Sequence, residues 1–370
     1  MSKTSEIPSP LIRARAAMRE HGVDAVLGAS PGLVAFLTGH VLPAYLSYPS
    51  RDGRLDKPTL ALITQDSAAT IGSTPAPEVG LAVPIGEQWR SIDDGPTQFA
   101  SLVVAADEIG LNAGRLAVEL AHVPAGALAA LLEARDRLHV EPLGGLLRDA
   151  KAIKSDAEVA GILEALALCD AGQDAVRAAA APGMTELDLY VAAVRGMNSP
   201  SDSLVIPLCE LQVGPRTALI FGPPTSAVLH EGELVMCDLA PRHPNGWWGD
   251  CCMTVACGDV DESVRRDWRD LHDGLEAARE MLRPGVTAGQ VHAAAARFVP
   301  DLGAHGGHGI GRDHYEEPVI SPGSPERLAE GSVIVVEPGR YNDHRGMRIE
   351  HAFRVTPDGG ERLSRFSLEL

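Results

Sequence analysis

The sequence predicts two domains, an α/β domain over residues 1–148 and an α+β domain with internal pseudo-twofold symmetry over residues 149–370. Three observations carry this expectation. A chain of 370 residues is long for one domain and has enough apolar material for a substantial core. Its first part alternates helical and strand-like apolar patterns. Its second part contains Pro182-Gly183-Met184-Thr185 and, about a hundred residues on, Pro284-Gly285-Val286-Thr287, each after a helical stretch and before a capping threonine.

The elements follow in order. Ser9 can cap a helix with Pro10 at its first position and Leu11, Ala14 and Met18 on one face, and Gly22 ends it. Val23-Asp24-Ala25-Val26-Leu27 begins a strand. A polar, proline-rich stretch precedes the apolar run Leu60-Ala61-Leu62-Ile63, and Leu116-Ala117-Val118 gives another strand. Residues 125–137 read as a helix and 141–145 as a turn. Ser155-Asp156-Ala157-Glu158 is a capping box opening a long helix with Val159, Ile162, Leu163 and Leu166 on its buried side. Thr287 and Gln290 form a second box. The string Gly28-Ala29-Ser30-Pro31-Gly32 fits GxSxG, but proline follows the serine without an evident helix start, so no nucleophile elbow is expected.

Composition narrows the function classes. Hydrophobic residues make up 45% and charged residues 22%, which is globular material, and the net charge of −18 disfavours nucleic acid and anionic membranes as partners. No apolar run approaches a membrane span, and the start MSKTSEIPSPLIRARAAM lacks the apolar centre of a secretory signal. The six cysteines lack CxxC spacing, so a reduced, cytoplasmic setting is expected.

Five residues stand where apolar strand patterns should continue. Leu234-Val235-Met236-Cys237 runs into Asp238, and a polar turn then leads to Trp247-Trp248-Gly249-Asp250, a hairpin with an aspartate on each arm. Gly307-His308-Gly309 puts a histidine among glycines, where backbone or ligand can approach closely. Val333-Ile334-Val335-Val336 ends in Glu337. Met347, Ile349, Phe353 and Val355 read as one face of a single strand, with Arg348, Glu350 and Arg354 on the other. Four carboxylates entering apolar strands are costly to bury unless cations meet them, and two divalent ions would balance them. One imidazole and four carboxylates suit Mn²⁺, Fe²⁺, Co²⁺ or Zn²⁺ alike.

The order Asp238, Asp250, His308, Glu337, Glu350, in the strings GHGIGRDHYEEP, VVEPGRY and GMRIEHAFRVT, resembles the dinuclear site of the pita-bread metallopeptidases. These include aminopeptidase P, prolidase and methionine aminopeptidase, with creatinase as a relative. AIKSDAEVAGI resembles their interdomain segment and HGVDAVLGASPGLVAFLTGH their creatinase-like N-terminal domain. The resemblance implies a pita-bread C-terminal domain and a homodimer. It also implies that Asp250 and Glu350 bridge two metal ions, with Asp238 on one and His308 and Glu337 on the other.

Two departures bear on function. Where the family has an outer histidine in a Leu-Pro-His-Gly-like string, this chain has Phe221, and where a second precedes Glu-Glu-Pro it has Tyr315. His314 is adjacent, but strand alternation would turn it to the opposite face unless the register shifts by one. His305 and His344 read as loop or surface histidines. The expected catalytic set is Tyr315, His314 and Arg348, with Phe221, Trp247, Trp248 and Arg340 binding substrate and one tryptophan packing on the core. Cys251, Cys252 and Met253 read as strand packing or a remodelled pocket wall. The expected function is a dimetal hydrolase of a small C–N substrate, resembling Xaa-Pro aminopeptidase or prolidase. The alternative is a non-peptidase lyase or oxygen-using oxidase acting on a small metabolite. Loss of both outer histidines predicts weak turnover of Xaa-Pro dipeptides, since each proton-transfer group is worth roughly 10²–10⁴-fold.

Overall fold

The computed structural model describes residues 7–39, 41, 59–71, 89–92 and 98–370. The proline-rich stretch before Leu60 lies largely outside them. The chain divides into two compact units, Met1–Lys151 with Pro244–Gly246, and Ala152–His243 with Trp247–Leu370. Among the described residues no helix is long and apolar enough to cross a membrane.

The first unit is a six-stranded mixed sheet in the order Trp89–Ile92, Ala68–Ile71, Leu60–Thr64, Ala25–Gly28, Gly114–Val118, Leu138–Pro142. Strand Ala25–Gly28 pairs antiparallel with Leu60–Thr64 and parallel with Gly114–Val118. Its alternate side chains enter separate cores: Ala25 and Leu27 one, Val26 the other. That two-sided burial explains the unbroken apolar run in the sequence. The first helix, Pro10–His21, ends on Gly22 in the left-handed conformation, φ 66°, but the Ser9 side chain makes no capping bond. A helix does follow Ser30: its side chain accepts from the Leu33 N–H and Pro31 opens Pro31–Thr38. The Ser-Pro step there repeats Ser9-Pro10 and marks a helix start that the sequence reading missed. Strand Leu138–Pro142 occupies part of the segment expected to turn.

In the second unit the repeated strings adopt the same local structure twice. Gly183 and Gly285 have positive φ (94° and 83°), each donates to a leucine carbonyl (Leu229 and Leu328), and each leucine donates back one residue further on, to Met184 and Val286. Thr185 and Thr287 then cap Glu186–Asn198 and Ala288–Ala296 through complete capping boxes, the first using Asp188. Each helix pair, Asp156–Ala179 with Glu186–Asn198 and Glu262–Met281 with Ala288–Ala296, precedes antiparallel strands. Three strands, Leu208–Val213, Leu234–Ala240 and Cys251–Ala256, follow the first pair. Five, in the order Glu316–Val319, Gly307–Gly309, Val333–Val336, His351–Thr356, Gly359–Arg362, follow the second. A bridge between Cys252 and Glu350 joins the two sets. The expected single strand through Met347 and Val355 is instead two, Gly346–Arg348 and His351–Thr356, separated at Glu350.

Candidate metal centre

Three of the four acidic side chains stand immediately beside strand ends, and the fourth, Asp238, stands within a strand. Asp238 lies within Leu234–Ala240, in register with Cys252 on one side and Glu210 on the other. Asp250 immediately precedes Cys251–Ala256, Glu337 immediately follows Val333–Val336, and Glu350 immediately precedes His351–Thr356. At such points the side chain is carried by a rigid ladder while its neighbour leaves it. Gly249 fixes the entry to Asp250, since a Cβ there would lie 2.7 Å from the Ala165 carbonyl oxygen and 2.8 Å from Cys169 Sγ.

His308 is buried, and its Nδ1–H donates to the Gly309 carbonyl at 2.8 Å. That bond leaves Nε2 facing the acids, 3.3 Å from Asp250 Oδ2 and 3.6 Å from Glu337 Oε1. Donor atoms of Asp250, His308 and His314 lie within 4.8 Å of one another, as do those of His305, His308 and Glu337, and those of Asp238, Cys252 and Glu350. All five residues expected to converge thus fall into these groups.

The electrostatics show a centre short of positive charge. Burial, opposed by Arg348 and reinforced by Asp250, Glu210 and Glu337, pushes the Asp238 carboxyl up to about 7. Burial, reinforced by Asp250, Asp238 and Glu337, pushes Glu350 well above the carboxylate range. Burial acts in the same direction on Asp250, but hydrogen bonds from His308 and His314 outweigh it and hold that carboxyl below its ordinary value. Glu350 Oε1 is buried and has no hydrogen-bond partner. An orphaned carboxylate oxygen among three further acids, with an imidazole nitrogen facing them, is a donor set that fits divalent cations.

His314 faces this centre. Residues 311–315 form bends rather than a strand, so strand alternation does not govern them, and His314 Nε2 donates to Asp250 Oδ2 at 2.8 Å while the ring lies 5.2 Å from that of Trp248. His305, read as a loop or surface histidine, lies in an irregular segment and also reaches the site: its Nε2 is 2.8 Å from Glu337 Oε1 and its Nδ1 is 2.9 Å from the Tyr315 hydroxyl. The half-exposed Tyr315 ring stacks on His308 with centroids 4.1 Å apart. Burial and the charge of Glu337 push its phenol up to about 12, so it stays protonated and donates to His305 Nδ1. His305 Nε2–H is then the group that donates to Glu337. His344 is exposed in a turn, as expected.

Four expected roles change. Arg348 is buried and donates to Asp238, to Glu210 at 3.2 Å and to the Tyr341 hydroxyl at 3.0 Å, so it positions a carboxylate instead of reaching substrate. Arg340 is held by Asp267, Asp270 and Asp301 at 2.8–3.1 Å, which commits its guanidinium away from substrate binding. Trp247 is 6% exposed, with Arg312 stacked 3.9 Å from its ring centroid, and packs in the core; Trp248 is the one beside His314. The Phe221 ring is 82% exposed at φ 62°, tied to the site only through its backbone N–H, which donates to Glu210. Glu210 is a site residue that the sequence reading missed, although a further acid in a strand is a readable signal. His305 reads there as a loop or surface histidine, and Cys252 as strand packing or a pocket wall.

Two helix-backed strand sets around a carboxylate-rich centre are the architecture of a pita-bread metal-dependent hydrolase. The chain belongs to metallopeptidase family M24, whose profile matches residues 160–357. It is 31% identical over 249 residues to a Mycobacterium tuberculosis protein named "Probable dipeptidase PepE", covering 65% of this chain and 66% of that one. It is 25% identical to a Pyrococcus horikoshii Xaa-Pro dipeptidase, covering 95% and 96% of the two chains. A Bacillus anthracis Xaa-Pro dipeptidase structure superposes with TM-score 0.82 at 22% identity, covering 98% of each chain, and establishes likeness of fold.

Proposed function

We propose that the protein hydrolyses short peptides, of the Xaa-Pro dipeptide kind or a closely related small amide, at a centre of two divalent ions. Asp250 and Glu350 would bridge the ions, with Asp238 on one and His308 and Glu337 on the other. The observation that carries this reading is that the five residues fall into three small groups of candidate donor atoms, one of them including Glu350, whose Oε1 is buried without a partner, in a family M24 frame. The names of the relatives favour a hydrolase over the lyase or oxidase alternative. A homodimer and a cytoplasmic setting belong to the same proposal.

When bound, the ions supply Lewis acidity that polarises a substrate carbonyl and activates water at neutral pH. The chain's own groups do the rest. His314 holds a proton at Nε2 beside Asp250 and can deliver it to a leaving amine. Tyr315 orients His305, whose Nε2–H holds Glu337. Trp248 supplies an apolar wall next to His314. The weak turnover expected from Phe221 and Tyr315 also takes His314 to turn to the opposite strand face and His305 to be a loop or surface histidine. With His314 2.8 Å from Asp250 and His305 2.8 Å from Glu337, two outer imidazoles lie beside the acids.

The test is hydrolysis of Ala-Pro, Gly-Pro and non-prolyl dipeptides by metal-stripped protein reloaded separately with Mn²⁺, Fe²⁺, Co²⁺ and Zn²⁺. Metal-dependent cleavage is expected, with kcat lowered roughly 10²-fold or more in His314→Ala at unchanged metal content. No cleavage of any dipeptide by fully loaded protein would reject the reading.

A further inference from the structure

Cys252 is the feature of the centre that its carboxylates and imidazoles do not explain. On strand Cys251–Ala256 the side chains of Cys251, Met253 and Val255 enter the apolar core, while Cys252 and Thr254 stay outside it. Cys252 is nevertheless fully buried, on the same side as the acids. It forms the middle of a row across three chain segments. Asp238 is its register partner on one side, and on the other the Glu350 N–H donates to its carbonyl at 2.9 Å. One donor atom from each of Asp238, Cys252 and Glu350 lies within 4.8 Å of the others. The thiol's backbone acceptors are long, the Arg348 carbonyl at 3.7 Å and the Met253 carbonyl at 4.0 Å, and the Arg348 side chain lies against the sulfur as it does against Asp238. The neighbouring Glu350 Oε1 is buried without a partner. A thiol used merely to fill space would be expected among the apolar side chains on the other face.

We propose that Cys252 is a metal ligand, joining Asp238 and Glu350 on one divalent ion and making that half of the centre selective for thiophilic ions such as Zn²⁺ over Mn²⁺. The proposal rests on the dimetal reading above. A soft sulfur donor in an otherwise oxygen-rich set shifts preference in that direction. As the metal–sulfur bond forms, the thiol proton passes to bulk water, and no oxidant or reductant is required.

Zinc K-edge X-ray absorption on the full chain, stripped of metal and reloaded with Zn²⁺, tests this in the unmutated protein. A sulfur shell near ~2.3 Å is expected beside oxygen and nitrogen neighbours at ~2.0–2.2 Å. In Cys252→Ser the sulfur shell should vanish, and Zn²⁺ affinity should fall at least as far as it does for lost outer-shell partners of metal ligands, roughly 10–100-fold. A shell of oxygen and nitrogen alone in the parent protein, with zinc bound and dipeptides cleaved, overturns the role of Cys252 and leaves the dimetal reading standing. A sulfur shell that persists in Cys252→Ser overturns it as well. Failure of the parent protein to retain zinc or any other divalent ion overturns the dimetal reading and, with it, this inference.

Discussion

At the scale of single residues, the centre is held in a charge balance that one substitution upsets in an unusual direction. Burial raises the carboxyls of Asp238 and Glu350, Asp250 and Glu337 add to it at both, and at Asp238 the Arg348 guanidinium opposes it. Removing one acid therefore relieves repulsion in the metal-free protein while removing donors from the loaded one. Glu350→Ala is expected to lose most bound metal, yet to unfold no earlier than the parent when both proteins are stripped, whereas Asp250→Ala, which also takes away the acceptor of His308 and His314, is expected to lose metal and to unfold earlier. Elemental analysis and paired thermal melts, with and without chelator, check both halves. Two ions per chain in both variants would sink the bridging assignment. Arg348 illustrates why the role of a residue type cannot be read from its spacing. Alternation correctly separated it from Met347 and Ile349, but its engagement by Asp238, Glu210 and Tyr341 depends on strands far away in sequence.

At the scale of elements, what could be read was whatever local periodicity or capping decides. The boxes at Ser155 and Thr287 and the glycine stop at Gly22 all appear as expected. So does the histidine between glycines, and there the glycines do specific work. Gly307 adopts φ 142°, and a Cβ on it would press into the Val335 carbonyl oxygen of the adjacent strand, whose Val336 is its register partner. Gly307→Ala must therefore push Gly307–Gly309 off Val333–Val336, which carry His308 and lead into Glu337. Overpacking of this kind costs about 1–3 kcal/mol. A lower thermal midpoint together with weakened metal binding is expected, whereas Gly323→Ala, where a Cβ meets nothing within 4 Å though φ is 70°, should leave metal content unchanged. What escaped the sequence was set by irregular backbone. His314 reaches Asp250 because residues 311–315 bend, and His305 reaches Glu337 from a segment without regular structure. No period exists in such segments to reveal which way a side chain turns.

At the scale of the whole molecule, the segment opening the second unit is tied to the bend that carries His314. Lys154 Nζ lies 2.8 Å from Glu316 Oε2, and both side chains are almost fully buried. The other oxygen of Glu316 accepts from the Asp313 N–H at 3.3 Å, one residue before His314. A buried pair is weak support for stability in itself, because desolvation offsets most of the attraction, but removing one partner strands a charge and costs about 3–5 kcal/mol. Lys154→Met is thus expected to destabilise the protein by about that much. The damage should also reach the site, since Glu316 loses its lysine partner and the 311–315 bend is anchored on it. The double variant Lys154→Met/Glu316→Met discriminates between the two contributions. With no stranded charge it should regain most of the lost stability, while the Asp313 anchor stays missing and dipeptide turnover stays low at full metal loading. Chemical denaturation and steady-state kinetics on the three proteins supply the comparison. If the double variant recovers turnover along with stability, the pair serves folding alone and the bend that presents His314 does not depend on it.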